Sequence, residues 1–213
     1  MHLDPELGEP KYLWRDKGWY DEAKRCIDVF GSGFLLALFC PLMATVALLI
    51  KATSAGPVFY TQTRLTKAGR IFTIYKFRTM RTDAEAQTGA VLAESNDPRI
   101  TRIGKLLRLT RIDELPQLIN VLIGDMSLIG PRPERPEIAE KLAAELPLFH
   151  RRLEVNAGLT GLAQVDAGYA SEVDSYKHKL DLDIFYVDNR SFVLDVKILW
   201  RTIFVTLSGS GAR

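Results

Sequence analysis

The sequence predicts an α+β protein, mainly helical with a small β-hairpin, held at a membrane by one apolar helix near its N-terminus. Three stretches carry that expectation. Residues 29–50 contain no charged side chain and are long enough to cross a bilayer core. Residues 58–65 and 71–77 are β-branched and aromatic runs around Lys67-Ala68-Gly69-Arg70, a hairpin pattern. Leu115, Leu118, Ile119 and Leu122 recur at helical spacing, and Gly124 supplies a stop.

The length of 213 residues fits one domain with an appendage. A formal net charge of +2 names no partner in bulk. The basic residues are spread out and no nucleic-acid reader motif occurs, so a nucleic-acid role is not expected. Cys26 and Cys40 fall on one apolar stretch, about 21 Å apart if helical, too far for a disulfide within the chain. A reduced, cytosol-facing protein follows. His2, His150 and His178 are scattered and form no metal-spaced group.

In chain order, Tyr12, Trp14, Trp19 and Tyr20 stand among charges just before the apolar run, as interface aromatics or as a tail. No signal peptide is expected, because the apolar run starts late and lacks a small-residue cleavage site. Asp28 is the one charge between Cys26 and Ile50. Pro41, near the middle, removes a backbone donor and clashes with the preceding turn, so a bend is expected there. That leaves a kinked span, or a helix that enters and returns on the same side. Lys24 and Arg25 at one end with Lys51 at the other fit the second, since cytoplasmic flanks prefer basic residues.

After a turn at Ala52 to Gly56, the hairpin's second arm ends in Lys76-Phe77-Arg78, either a solvated basic edge or a ligand-facing one. Residues 81–97 lack apolar periodicity and are expected to be a mobile loop. Residues 100–109 set Ile103, Leu106 and Leu107 against Arg102, Lys105 and Arg108, a basic amphipathic helix for a membrane surface or for the protein's own core. Residues 138–148 form a helix with an ordinary acidic face. Gly158 to Val165 is Gly-rich without the spacing or lysine of a P-loop, and alone predicts a turn and a strand. Residues 196–207 are too short to span and predict a last helix, interfacial or packed on the core.

The chemistry concentrates between Arg108 and Pro133. Pro116 fits only the first turn of a helix, so that helix is expected to start at or just after Asp113. Asp113 and Glu114 would then sit at the positive end of the helix dipole, which favours their ionised forms. Arg108 and Arg111 precede the pair and Arg132 follows in a Pro-stiffened loop. Two carboxylates among three arginines can hold a metal-bridged phosphate. An acidic pair opening a helix is also an ordinary cap, and spacing does not separate the two.

Asp113-Glu114-Leu115-Pro116-Gln117-Leu118, Asn120-Val121-Leu122, Gly124-Asp125-Met126-Ser127 and Gly130-Pro131-Arg132-Pro133 resemble the signature of the bacterial sugar transferases, more narrowly of the monotopic phosphoglycosyl transferases. The resemblance covers roughly residues 24–207. It implies a re-entrant membrane helix at 24–51, broken here at Cys40-Pro41 where the family usually has Ser-Pro. It further implies a cytosolic catalytic domain at 52–207; the aromatics at 1–23 are read as an N-terminal interfacial segment and 208–213 as a flexible tail. Location would be the inner membrane, catalytic face to the cytosol.

The implied reaction moves a sugar phosphate from a nucleotide-sugar, a UDP-hexose, to polyprenyl phosphate. Asp113 would be the nucleophile, Glu114 its orienting partner, and Mg²⁺ the cofactor, with Asp113 as its ligand. Arg108, Arg132, Pro131, Pro133, Lys76, Arg78 and Gln164 would contact substrate. Membrane lipids are implied partners, with downstream glycosyltransferases as further ones. The sequence departs from the family at Asn156-Ala157, where Arg-Pro is common, and at Ala167-Gly168, where Gly-Arg is common. A lipid-linked phosphatase and a non-enzymatic membrane adaptor are the competing classes.

Overall fold

The computed structural model describes residues 18–84, 97–166 and 173–207. Most of residues 1–23, residues 85–96 of the expected loop, Ala167-Gly168 and the 208–213 tail lie outside them. The fold is mainly helical, with one antiparallel hairpin and one long apolar helix at its N-terminal side.

That helix, α1 (Trp19–Thr53), has 35 residues, about 52 Å if straight. It is long and apolar enough to cross a membrane, and its helical assignment runs through Pro41 without interruption. Phe30, Phe34, Leu38 and Leu48 stand exposed along it. Both of its ends pack on the same domain. Leu35 and Leu36 join the main core, while Val46 and Ile50 form a second cluster with Phe77 and Leu107. Polar anchors fix the first end. Arg25 donates to the carbonyls of Val121 and Leu122, at 2.7 and 2.8 Å, and buried Asp28 accepts from the Leu128 amide at 2.9 Å. Asp195 takes the Tyr20 hydroxyl at 2.9 Å, the Tyr186 hydroxyl at 3.0 Å and the Lys24 ammonium at 3.1 Å. Tyr20 is therefore a buried strut, whereas Trp19 beside it is exposed.

The hairpin joins β1 (Phe59–Leu65) to β2 (Ile71–Phe77), paired from Phe59↔Phe77 to Leu65↔Ile71. Phe72 and Ile74 alternate inward against Leu118 and Val121 of α3 (Gln117–Ile123). Asn120 on α3 replaces a missing strand neighbour: its Oδ1 accepts from the Tyr75 amide and its Nδ2 donates to the Thr73 carbonyl.

A second, unanticipated pairing is parallel: β3 (Met126–Ile129) with β4 (Ala157–Thr160). It explains the Gly-rich segment. A Cβ on Gly158 would lie 2.1 Å from the Gly130 nitrogen, so the two backbones can approach only as glycines. The residues expected to continue as a turn and strand instead enter a short helix, α5 (Leu162–Asp166).

Helix α2 (Arg102–Leu109) has Thr101 as N-cap, accepting from the Gly104 amide. It packs Leu107 into the core, as one of the two expectations had it, and leaves Leu106 and Leu109 exposed. α4 (Pro136–Glu145) and α6 (Val173–Asn189) enclose a third cluster, Ala139, Leu142, Phe149 and Leu180. α7 (Phe192–Leu207) buries Ile198 and leaves Val193, Val196, Trp200, Ile203 and Phe204 exposed at helical spacing.

Asp195→Ala is expected to cost about 3 kcal/mol of stability, because it strands a largely buried ammonium and two buried hydroxyls. Denaturant unfolding in detergent measures it. Asp166→Ala, which breaks the exposed pair with Arg201, should change stability by less than about 0.5 kcal/mol; equal effects of the two would remove Asp195 as the anchor.

Candidate active site

Asp113 and Glu114 lie on a tight 3₁₀ turn, Ile112–Glu114, and α3 begins only at Gln117 with Pro116 as its N-cap. The expected helix start is thus displaced. Arg111 adopts a left-handed backbone, φ 58°, which reverses the chain after α2, and bonds from the Glu114 amide to Arg111 and from the Leu115 amide to Ile112 tighten the turn. The charges that govern the pair are side chains rather than the dipole of a seven-residue helix.

Both carboxylates are nine-tenths buried, yet their surroundings differ. Glu114 Oε1 takes the Lys76 ammonium and the Arg132 guanidinium, each at 2.8 Å. The Asp113 carboxylate makes no hydrogen bond among the described residues. Burial, and then the Glu114 charge, push its carboxyl up to about 6, with Lys76, Arg108 and Arg132 opposing. Burial also acts to raise Glu114, but Arg132 and Lys76 outweigh it and hold Glu114 well below the usual carboxylate range. For Lys76, desolvation outweighs the Glu114 charge and lowers its value. One carboxylate is locked as an anion between two cations. The other is an unbonded oxygen pair at the same site.

The remaining expected residues divide. Arg108 donates to Thr79 Oγ1 at 2.9 Å and acts on Asp113 through space. Pro131 and Pro133 are buried backbone supports: the Pro131 carbonyl accepts from the Gly158 amide and the Pro133 carbonyl from Arg64. Arg78 is elsewhere. It donates to the Ala55 carbonyl and to the Ser54 carbonyl and hydroxyl, closing the exit turn of α1. Gln164 donates to the Leu159 carbonyl at 3.2 Å, and its buried Oε1 has no hydrogen-bond partner among the described residues.

Sequence reasoning missed Arg152, Asp183 and Thr79. Arg152 is buried, pairs with Asp183 at 2.8 Å and donates to the Arg132 carbonyl at 2.8 Å, so it braces the loop that delivers Arg132 to Glu114. These contacts cross twenty or more residues and leave no local pattern; an arginine and an aspartate on otherwise core-facing positions were the available signal. For a divalent cation, no group of three acidic, His or Cys ligands occurs among the described residues. Mg²⁺ commonly takes one or two carboxylates together with substrate phosphates, and the unbonded Asp113 carboxylate fits that donor set.

An acidic pair on a braced turn, ringed by cations beside an apolar helix, suits transfer of an anionic group. The chain matches the model of the bacterial sugar transferases over residues 19–209 and belongs to that family, a family of enzymes. It is 46% identical over 194 residues to the UDP-N-acetylgalactosamine-undecaprenyl-phosphate N-acetylgalactosaminephosphotransferase of Aeromonas hydrophila, covering 91% of this chain and 46% of that one. The exopolysaccharide production protein PSS of Rhizobium leguminosarum bv. phaseoli is 42% identical over 87% of this chain and 95% of its own. The UDP-glucose:undecaprenyl-phosphate glucose-1-phosphate transferase of Caulobacter vibrioides is 42% identical over 86% and 69%.

The two carboxylates should respond oppositely to neutralisation. A carboxyl raised in the folded state costs stability above its folded value and nothing below its unfolded one. Asp113→Asn should therefore raise the unfolding midpoint at pH 7.5, and the gain should vanish below about pH 4. Glu114→Gln strands two cations and should lower the midpoint at pH 7.5, by about 3 kcal/mol in stability. Thermal unfolding across pH reads both; a stabilising Glu114→Gln would refute the arrangement.

Proposed function

We propose that this enzyme is a phosphoglycosyl transferase. It moves a sugar phosphate from a UDP-hexose to polyprenyl phosphate, giving polyprenyl diphosphate-sugar and UMP, at the cytosolic face of the inner membrane. The observation that carries the reading is the division of labour in the pair, with Glu114 pinned by Lys76 and Arg132 and Asp113 left unbonded. The names of the relatives supply the substrate class: nucleotide-sugars and undecaprenyl phosphate.

In the first step an Asp113 oxygen attacks the phosphorus that bears the sugar. The bond to the UMP phosphate breaks, UMP leaves with the electron pair, and an aspartyl sugar-phosphate remains. In the second, an oxygen of the lipid phosphate attacks the same phosphorus and Asp113 is released as carboxylate. Lys76, Arg108 and Arg132 offset the repulsion between a carboxylate and a dianion, and Glu114 keeps Lys76 and Arg132 aimed at the site. Mg²⁺ held by Asp113 with the diphosphate would add shielding of charge.

The acceptor's lipid tail requires the site at headgroup level. α1 enters the bilayer and returns at Pro41, so that both its ends stay with the catalytic domain. The packing of Leu35 and Leu36 on one core cluster and of Val46 and Ile50 on another supports this, because a straight span would carry one end across the membrane. The exposed apolar faces of α2 and α7 fit shallow seating beside it.

Wild type given Mg²⁺ and UDP-sugar without lipid should release about one UMP per active site and gain a sugar-phosphate on the peptide carrying Asp113. Asp113→Asn should do neither. Adduct on Asp113→Asn, or turnover only with both substrates present, would overturn the covalent step. Sugar phosphate found free in solution rather than on lipid would make the enzyme a hydrolase.

Topology is tested separately. In a Cys-free background, cysteines placed at Lys24 and Lys51 should both label from the cytosolic side, and Pro41→Leu should shift label at one end to the periplasm. Periplasmic labelling of either end in the parent would sink re-entry.

A further inference from the structure

Thr79 stands just past the end of β2, between Arg78, whose amide bonds to the Val58 carbonyl, and Arg81, whose amide bonds to the Arg99 carbonyl. It is buried, and it meets α2 at three successive levels. Its carbonyl accepts from the Thr101 amide at 2.9 Å, and a Cβ on Gly104 would lie 2.0 Å from that same oxygen. Its hydroxyl accepts from Arg108 Nε at 2.9 Å. Thr101, Gly104 and Arg108 follow one another at helical spacing, so they form one stripe of α2, and Thr79 spans it. We propose that Thr79 is a positioning residue for the transfer: by holding Arg108 at Nε it fixes the plane of the guanidinium and leaves the two terminal amino groups to the phosphate that reacts at Asp113. The proposal rests on the transferase reading above and assigns what orients one of its cations.

Three observations point to it. The first is how the cations around Asp113 are committed. Lys76 and Arg132 each spend a bond at 2.8 Å on Glu114. Arg108 makes no ion pair among the described residues, and its side chain's one hydrogen bond there is the bond to Thr79. The second is the open interval between Arg108 and the carboxylate. Burial and the Glu114 charge raise the Asp113 carboxyl, and Arg108 is among the charges that oppose them, yet no bond joins the two groups. A cation that is to hold a phosphate against a nucleophile must leave room for that phosphate instead of pairing with the nucleophile. A guanidinium pinned at Nε suits this, because its terminal amino groups then project as a rigid fork matched to two phosphate oxygens. The third is the division of work within Thr79. The seating of α2 on it is done by main-chain atoms, through the Thr101 bond and the close approach of Gly104, and any residue at position 79 would supply those. Only the hydroxyl serves Arg108.

Thr79→Val keeps the main-chain contacts and nearly the shape while removing the hydroxyl, and Thr79→Ser keeps the hydroxyl. Both are assayed as the full chain in lipid nanodiscs carrying undecaprenyl phosphate, with the UDP-hexose that wild type uses best. Thr79→Val should lower kcat about tenfold, the scale of one charge-assisted hydrogen bond, with KM within about twofold of wild type because the orientation matters most in the transition state. Its unfolding midpoint should stay that of wild type, since water can replace the hydroxyl at the half-buried Arg108. Thr79→Ser should recover the wild-type kcat. Arg108→Ala should lower kcat at least as far as Thr79→Val, and adding Thr79→Val to it should cost nothing more, because Thr79 acts through Arg108. If Thr79→Val stays within twofold of wild type, or its loss multiplies with that of Arg108→Ala, the positioning role fails while the transferase reading stands. A loss that comes with a lowered unfolding midpoint and that Thr79→Ser does not recover would make Thr79 a packing residue only, again overturning the proposal alone. Absence of UMP release by wild type from every UDP-hexose would overturn both.

Discussion

Glu114 is the residue on which the rest of the site leans. Its one oxygen, Oε1, accepts from Lys76 of β2 and from Arg132 of the loop after β3, so a single buried atom ties hairpin, turn and loop together. A buried anion between two cations is stable only while all three are present. That requirement fixes where β2 ends, how tightly residues 112–114 turn, and how the Pro131–Pro133 loop enters. Asn120 fastens the same turn's helix to β2 by two further bonds, and Arg152 fastens the loop from behind through the Arg132 carbonyl. Asp113 is thereby held in place by its neighbours' bonds rather than its own. Among the described residues that carboxylate accepts no hydrogen bond, and burial raises it, which would suit the nucleophile proposed; the neighbouring bonds bear the cost of holding it there.

The long apolar helix α1 is built into this frame rather than tethered to it. Phe77, the residue after Lys76, packs with Val46 and Ile50 of α1, so the lysine that grips Glu114 is one residue from the helix surface. At the other end Arg25 occupies carbonyls at the C-terminus of α3, and Asp28 holds the β3 backbone at Leu128. Charges on an apolar helix are costly unless paired, and each of these is spent on backbone groups that α3 and β3 would otherwise leave open. The helix thus positions the active-site turn directly. On the proposed re-entrant seating, depth in the bilayer and placement of the carboxylates would be one mechanical variable.

Much of this was legible in the sequence where periodicity or glycine and proline chemistry is local. The β1–β2 register, the α2 face and the stop at Gly124 follow from such patterns. The start of α3 was misplaced because Pro116 permits both a first helical turn and a cap, and only the left-handed Arg111 decides between them. The β3–β4 pairing stayed hidden because its strands are four residues each and nearly thirty apart, and buried on one face by glycine contact rather than by alternation. For the site, the motif residues Asp113, Glu114, Lys76 and Arg132 do converge. Arg78 lies one residue beyond the end of Lys76's strand and turns to the α1 exit instead. Both were expected at the basic end of the hairpin's second arm; the strand ends at Phe77, and beyond it the chain no longer follows the strand's alternation.

On the proposed reaction, the arrangement would also separate the two substrates. Lys76 reaches Glu114 from the strand that touches α1, and Arg132 reaches it from the loop that lines a solvent-open cavity. A lipid phosphate is confined to the helix side by its tail, while a nucleotide-sugar arrives from water. The acidic turn lies between the two approaches, and a covalent carrier on Asp113 suits that geometry. The sugar phosphate can be taken from the aqueous side and surrendered on the lipid side without both bulky partners being present at once. Direct transfer would need one cavity to seat an anionic lipid and a dianionic donor together, with the like charges adjacent. Splitting the reaction in this way would let the same three cations serve each anion in turn, so that a small basic cluster would suffice.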